Sequence, residues 1–336
     1  MFRPLADLAV LALLLVLAAP GLDSVAPEIL RPSANLAPAS AVQAPSTPDL
    51  LPAPAGEPFE RLTYRARAWK GVGLVGLDVG TATFEIFSEP GPGPARVRIL
   101  AKADGSALGY SIKAVIESLA DASTLAPVRY RYVQEGSGAR RRGFDFGANA
   151  VAYWKSRHCR NAACANPAHS LASAPGRPPL HCPDHDCERP DHQVWQMRRT
   201  RDLDAPAFDV LAAIYRARDV DLGAATPPSF RLLVDKDGDW DVTLKARGTR
   251  EIQVPAGTFS CRQIRLETKR HAPKPDETEA FEGPFGLKGN ISLWVDEETK
   301  IPVRISGTVP FGVDFNAEVN LEKREGAYAP PRSEGR

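Results

Sequence analysis

Four of the five cysteines and five of the six histidines fall between His158 and His192. They form one pattern written twice, His-Cys-x4-Cys-x2-Pro-x-His, from His158 to His169 and again from His181 to His192. Thiolate sulfur and imidazole nitrogen are the ligands zinc prefers, and two copies at the same offsets point to metal chemistry. The first copy offers Cys159, Cys164 and His169, and the second Cys182, Cys187 and His192. Zinc takes four ligands, so His158 and His181 are the natural fourth members, with His185 or a residue of the other copy as substitutes. Two closed structural zinc sites are the first expectation. Three ligands with a water in the fourth place would instead make a zinc-dependent hydrolase, in which Glu188 and Asp191 could act as a base. The third reading pairs Cys159 with Cys164 and Cys182 with Cys187 as disulfides, giving a stapled interaction module in an oxidising compartment. Disulfides would explain the cysteines but not the repeated histidines.

The run from Cys159 through Asn161, Cys164, Asn166 and Pro167 to His169 resembles the zinc knuckle of the His-Me finger (HNH) endonucleases. That resemblance implies structural zinc ligation. Its nuclease activity is not carried over, because His158 and His181 abut their cysteines directly and the flanking strand–helix frame is missing. A metal cluster also gives a segment too small and polar for its own core a reason to be ordered.

Other chemical signals are weaker. Asp235, Asp237, Asp239 and Asp241 alternate as in a calcium loop, but Gly238 and Ala246 stand where an EF-hand needs other residues, so a solvated hairpin tip is expected. Arg140, Arg141 and Arg142 among glycines read as an exposed turn. Cys261 reads as a buried structural thiol and His271 as a loop residue without a partner. No nucleophile elbow, phosphate-binding loop or dinucleotide fingerprint occurs, and no catalytic residue is assigned.

The remaining chain must position these residues. Arg3, an apolar run from Leu8 to Ala19 and then Pro20-Gly21 give residues 1–24 the three regions of a signal peptide. The run is shorter than the roughly 20 residues that span a bilayer, so no transmembrane segment is expected after cleavage. No cysteine precedes Cys159, which leaves no site for bacterial-type lipid attachment. Residues 25–58 are Pro, Ala, Ser and Thr with few aromatic or β-branched residues, the composition of a disordered tether. Residues 326–336 read as a disordered tail. The net charge of +1 gives no steering toward nucleic acid.

Between residues 59 and 325 the dominant signal is alternation of apolar and polar residues, the mark of strands with one face buried. Ala82, Phe84 and Ile86 alternate, as do Val97 and Ile99, then Tyr110, Ile112, Ala114 and Ile116. Val242 and Leu244, Ile252 and Val254, Ile291 to Val295, Ile301 to Ile305 and Val313 to Leu321 repeat the pattern. About ten strands follow, in a mostly β fold: a curved antiparallel sheet, half-barrel or sandwich. Turns are expected at Asp237-Gly238 and at Pro255-Ala256-Gly257, with a bulge near Arg262 where parity breaks between Cys261 and Ile264. One helix, Ala207 to Arg218, carries the stripe Val210, Leu211, Ile214 and Tyr215, with Asp204 and Pro206 at its start. The Cys/His segment, residues 155–195, reads as an insertion.

The elements YRARAWKGVGLVGLDVGTATFEI from Tyr64, LAPVRYRY from Leu125, DVLAAIYRARDVDLG from Asp209, EIQVPAGTFSCRQIRLE from Glu251 and LWVDEETKIPVRI from Leu293 resemble, in order, a family of exported bacterial proteins. That family is catalogued as a domain of unknown function, number thirty-one-oh-eight, and the resemblance runs from about Phe59 to Leu321 around the insertion. It implies an exported β-rich protein of the periplasm or cell envelope, or a secreted one, with an open, strongly curved sheet. It also implies a sheet that accepts an apolar ligand, and the expectation for this chain is a lipid or other hydrophobic small molecule, or a protein partner in the envelope. It implies no reaction, and so the expectation is a non-enzymatic protein.

Overall fold

The computed structural model describes residues 50–54, 56–69, 77–107, 110–136, 140–158, 193–234, 239–271, 281, 288–310 and 314–328. The first eight strands are β1 (Glu60–Trp69), β2 (Leu77–Glu89), β3 (Arg96–Ala107), β4 (Tyr110–Asp121), β5 (Pro127–Gly136), β6 (Arg140–Phe146), β7 (Ala150–His158) and β8 (Gln193–Asp202). A helix, α1 (Val210–Arg216), extended by a 3-10 turn at Ala217–Asp219, leads to the other six. These are β9 (Ser229–Leu233), β10 (Asp239–Val254), β11 (Gly257–Arg270), β12 (Lys288–Asp296), β13 (Pro302–Pro310) and β14 (Asp314–Gly326). All fourteen join one antiparallel sheet, in the order β8 to β1, then β14 down to β9. It consists of two meanders, joined along β1 and β14.

The two ends of this sheet are β8 and β9, neighbours in sequence but thirteen strand spacings apart in the ladder. Laid flat, that is about 60 Å at 4.7–4.9 Å per spacing. Yet the Leu203 amide donates to the Asn149 carbonyl beside β7, and Phe208 exchanges hydrogen bonds with Arg231 and Leu233 of β9. Five residue steps reach at most about 18 Å. The sheet is therefore rolled until its ends come together, although no ladder closes it. An ion pair from Arg201 of β8 to Asp239 of β10 and another from Arg231 of β9 to Asp204 bind the seam.

Rolling makes the inner face the core. Phe84, Ile86, Val97, Ile99, Val242, Leu244, Ile264, Val303, Ile305, Val319 and Leu321 are all buried there. A second cluster joins Tyr130, Tyr132, Phe144, Val151 and Tyr153 to Ala207 and Leu233, residues that lie across the roll. The bulge near Arg262 is present, but the one extra residue is on β10: the register shifts between Ala246 and Thr249, opposite Ile264 and Arg262. Val254 pairs with Gly257, so Pro255-Ala256 is the hairpin turn. Residues 235–238, the other expected turn, lie outside the described residues, though β9 and β10 on either side pair as a hairpin. Arg140–Phe146 is a strand rather than an exposed turn.

The outer face is charged yet partly buried. Glu117 accepts from Arg98 at 2.5 Å and from Arg129 at 2.8 Å, on three adjacent strands. The same carboxylate accepts from the Leu51 amide at 3.1 Å, while Arg98 donates to the Pro52 and Leu51 carbonyls at 2.5 and 3.0 Å. Residues just before β1 thus cross the outside of β3 and β4. Nearby, Arg131 is wholly buried and paired with Asp145 at 2.8 Å. Burial pushes the Asp145 carboxyl up and the Arg131 guanidinium down from their ordinary values. Gly143 leaves room for that side chain, since a Cβ there would stand 2.7 Å from Arg131 Cδ and 2.5 Å from the Tyr130 carbonyl oxygen.

Helix α1 lies inside the roll. Its N-cap is Asp209, five residues beyond the expected start at Asp204, which instead pairs with Arg231. Asp209 Oδ1 accepts from the amides of Leu211 and Ala212 at 2.8 and 3.0 Å, and Oδ2 accepts from the Ser118 hydroxyl at 2.6 Å. That last bond fastens the helix to β4. Complete burial pushes the Asp209 carboxyl up to about 6. A raised carboxyl binds its proton more tightly in the folded chain, so this stability is fully present below the unfolded value near 4 and is lost as pH climbs through 6. Asp209→Asn keeps an amide-oxygen cap and removes the titration. The difference in unfolding free energy between the two proteins, from urea melts, should change by about 2–3 kcal/mol between pH 4 and pH 7 in favour of the parent at pH 4. That figure follows from about 1.36 kcal/mol for each pH unit separating the folded from the unfolded value. Parallel pH profiles for the two proteins would refute the assignment.

Candidate functional site

The site is built by what the helix does to the roll's interior. Leu211, Ala212, Ala213 and Tyr215 are buried on its sheet-facing side. Arg218 is three residues on from Tyr215 and seven from Leu211, so it falls on the same side and also points into the core. There it makes a bidentate pair with Glu60 of β1, at 2.5 and 3.1 Å. Its Nη2 also donates to the carbonyls of Tyr328 at 3.2 Å and Thr299 at 3.5 Å. The guanidinium carbon stands 5.3 Å from the centre of the Tyr215 ring. The helix is thus fixed by a carboxylate at its start and a guanidinium at its end.

Between those anchors the helix and sheet do not fully interlock. They leave a cavity of about 90 Å³ lined by Leu62, Phe84, Val242, Leu244, Ile264 and Ile305 among others. The wall is almost wholly apolar. Its polar members are Tyr64, Tyr215, Arg218 and Lys300. The Tyr64 hydroxyl donates to the Pro302 carbonyl at 2.9 Å. Burial raises the phenols of Tyr64 and Tyr215 above their ordinary value, so both stay neutral. Lys300 is exposed, in a left-handed turn at φ 59°, and brings that wall to the surface. Such a space can hold apolar matter; it presents no acid–base pair.

Other reactive groups among the described residues are occupied structurally. Cys261 is a free, fully buried thiol whose pKa is pushed up to about 11, chiefly by burial, so the thiolate nucleophile is suppressed. His271 does have partners: its Nδ1 lies 3.1 Å from Arg231 Nη2 and 3.1 Å from Asp241 Oδ2, at the seam of the roll. Arg142 stands over the Tyr132 ring at 5.0 Å.

Of the eight sequence-predicted metal ligands, His158 ends β7, its backbone paired with Gln193 of β8. Cys159, Cys164, His169, His181, Cys182, Cys187 and His192 lie outside the described residues. No three-residue metal cluster occurs among the described residues. The insertion is bounded more tightly than 155–195, because residues up to 158 and from 193 are rungs of the β7–β8 ladder. The residues that shape the cavity's polar end, Glu60, Tyr215 and Arg218, match no functional motif in the sequence. An arginine on the buried stripe of an amphipathic helix is the signal that could have found them.

Residues 188–320 match the family described as protein of unknown function DUF3108. The match takes in β8, the helix and nearly all of β9 to β14, and leaves β1 to β7 outside it. No curated protein matches the chain. In structure it is similar to the beta-barrel-like protein of domain of unknown function DUF1849 from Brucella abortus, with 11% identity and a TM-score of 0.45, over 80% of this chain and 98% of that one. It is similar to a protein from Parabacteroides distasonis provisionally described as a lipoprotein, with 12% identity and a TM-score of 0.31, over 81% of this chain and 97% of that one. A third similar structure, from Bacteroides fragilis, has a YmcC-like fold and is provisionally described as exported, with 11% identity and a TM-score of 0.29, over 81% and 97%.

The buried pair makes a stability prediction. Arg218→Ala leaves Glu60 charged and unmatched in the core and should cost about 3–5 kcal/mol. Arg65→Ala, which loses an exposed pair with Glu322, should cost at most about 1 kcal/mol. Chemical denaturation of both variants checks this, and comparable losses would contradict it.

Proposed function

We propose that this is a non-enzymatic exported protein of the cell envelope that holds a hydrophobic ligand between its rolled sheet and helix α1. The observation that carries the reading is the apolar cavity, walled by strands from both meanders and closed on one side by the helix. An empty apolar space forfeits packing contacts that a ligand would restore. The buried cation in its wall, Arg218, is engaged with Glu60 in fixing the helix, which leaves the space itself for binding. The sequence supports the address: a leader of signal-peptide form and a Pro/Ala-rich stretch before β1.

The Cys/His insertion is part of the same proposal as a structural zinc module. Its support is the duplicated ligand pattern, which falls in sequence between β7 and β8 and shares no residue with the cavity lining. Elemental analysis of protein purified without chelator should return about two zinc per chain, the expected count for two four-ligand sites. The double variant Cys159→Ser/Cys182→Ser should lose them. No metal, with Cys261 alone titrating as a thiol after denaturation, would mean two disulfides.

For the cavity, 1-N-phenylnaphthylamine, its phenyl ring entering the space and its naphthyl group covering the mouth beside Lys300, should bind saturably at one site with enhanced fluorescence. Val242→Phe, which fills the space, should abolish that binding while retaining the circular dichroism of the parent. Dye binding no greater than that of an unrelated β protein would overturn the proposal.

A further inference from the structure

The cavity's polar end collects hydrogen-bonding groups that have no partner among the described residues. The hydroxyl of Tyr215, the hydroxyl of Tyr328 and Nε of Arg218 are each buried and unpaired. They stand together, since the Tyr215 and Tyr328 rings are 5.7 Å apart and the Arg218 guanidinium lies 5.3 Å from the Tyr215 ring. Tyr215 and Arg218 line the cavity and Tyr328 packs against Tyr215 outside it; buried polar groups are nearly always satisfied, so the two unsatisfied ones in the wall call for an acceptor that the chain does not supply.

The surrounding charges narrow what that acceptor is. Arg218 is already matched by Glu60, whose Oε2 also receives the Tyr328 amide. A cationic head would therefore find no free carboxylate here. Lys300, in the cavity lining, makes no ion pair with any described residue and is exposed. Lys300 also borders a cleft with Asp221, Asp296 and Glu297, but these accept from Gly223, Thr299 and Arg262 respectively, which leaves the Lys300 ammonium to balance a single negative charge at the rim. The volume speaks to the tail: about 90 Å³ is less than the roughly 150 Å³ of an engineered cavity that admits benzene, so it takes the end of one alkyl chain and excludes a second.

We propose that the cavity takes a single-chain carboxylate amphiphile, its tail against the apolar wall and its head accepting from Tyr215 and Arg218 Nε, with Lys300 supplying the counter-charge. This rests on the hydrophobic-ligand reading above and specifies its chemistry. Tyr328, which packs on the Tyr215 ring but does not line the cavity, takes part only through a bridging water.

The test is competition against 1-N-phenylnaphthylamine at pH 7.5 with octanoate, 1-octanol and octylamine, which share a tail and differ in head. In the wild type octanoate should displace the dye at about tenfold lower concentration than the other two, the ratio expected of one charge-assisted hydrogen bond. Tyr215→Phe removes an unpaired hydroxyl and leaves no group unsatisfied, so it should fold as the parent does. It should reduce the octanoate preference severalfold and leave dye affinity unchanged. Lys300→Gly suits the left-handed turn and should act in the same direction. Equal displacement by all three, or a Tyr215→Phe variant with unaltered octanoate binding, would mean that water alone fills these positions; the carboxylate assignment falls and the hydrophobic-ligand reading survives. Failure of the dye and of all three octyl compounds to bind would overturn both.

Discussion

The structure depends on one short length of chain. Between Leu203, bonded beside β7, and Phe208, bonded to β9, only five residue steps are available to join the two ends of a fourteen-stranded sheet. Sheet twist alone curls an open sheet, but this connection sets how far the curl must go. Once the ends are brought together the inner face has a defined circumference. The core, the seam of Arg201, Asp239, Arg231 and Asp204, and the space for a helix all follow from it.

The helix is the second consequence. A roll this wide is not filled by strand side chains alone, and the chain that closes it continues directly into α1. The helix has only seven residues, too short to be stable by propensity. Its order comes from the Asp209–Ser118 bond, the Arg218–Glu60 pair and the apolar stripe between them. Fixing a short helix at its ends leaves its middle free of the need to pack perfectly, and that is where the cavity lies.

Much of this is legible in the sequence, and what is not has physical reasons. Alternation locates β2, β3, β4 and β10 to β14, because each has a clear apolar face. It passes over β5 and β6, where both faces are buried: Tyr130 and Tyr132 point inward while Arg129 and Arg131 point outward into ion pairs. The Arg-Gly composition of β6 imitates a turn, but Gly143 is there to admit the Arg131 side chain. Asp209 reads as helix interior because it lies beside the apolar stripe, when burial is what makes it a strong cap. The cavity joins residues from β1 to β13, a proximity that periodicity does not encode. The Cys/His pattern is the reverse case, conspicuous in sequence and outside the described residues.

The β7–β8 hairpin holds residues 158 and 193 as a ladder pair, about 5 Å apart. Whatever lies between them has its two ends already joined by the sheet. Doubling the length of such a segment costs only about 0.6 kcal/mol in closure entropy. The hairpin tip is thus a socket: sequence can be gained, duplicated or lost there at little expense to the roll. Two successive copies of one twelve-residue pattern at that point are what tandem duplication at a permissive position would leave behind, and the rest of the fold need not have changed to accommodate them.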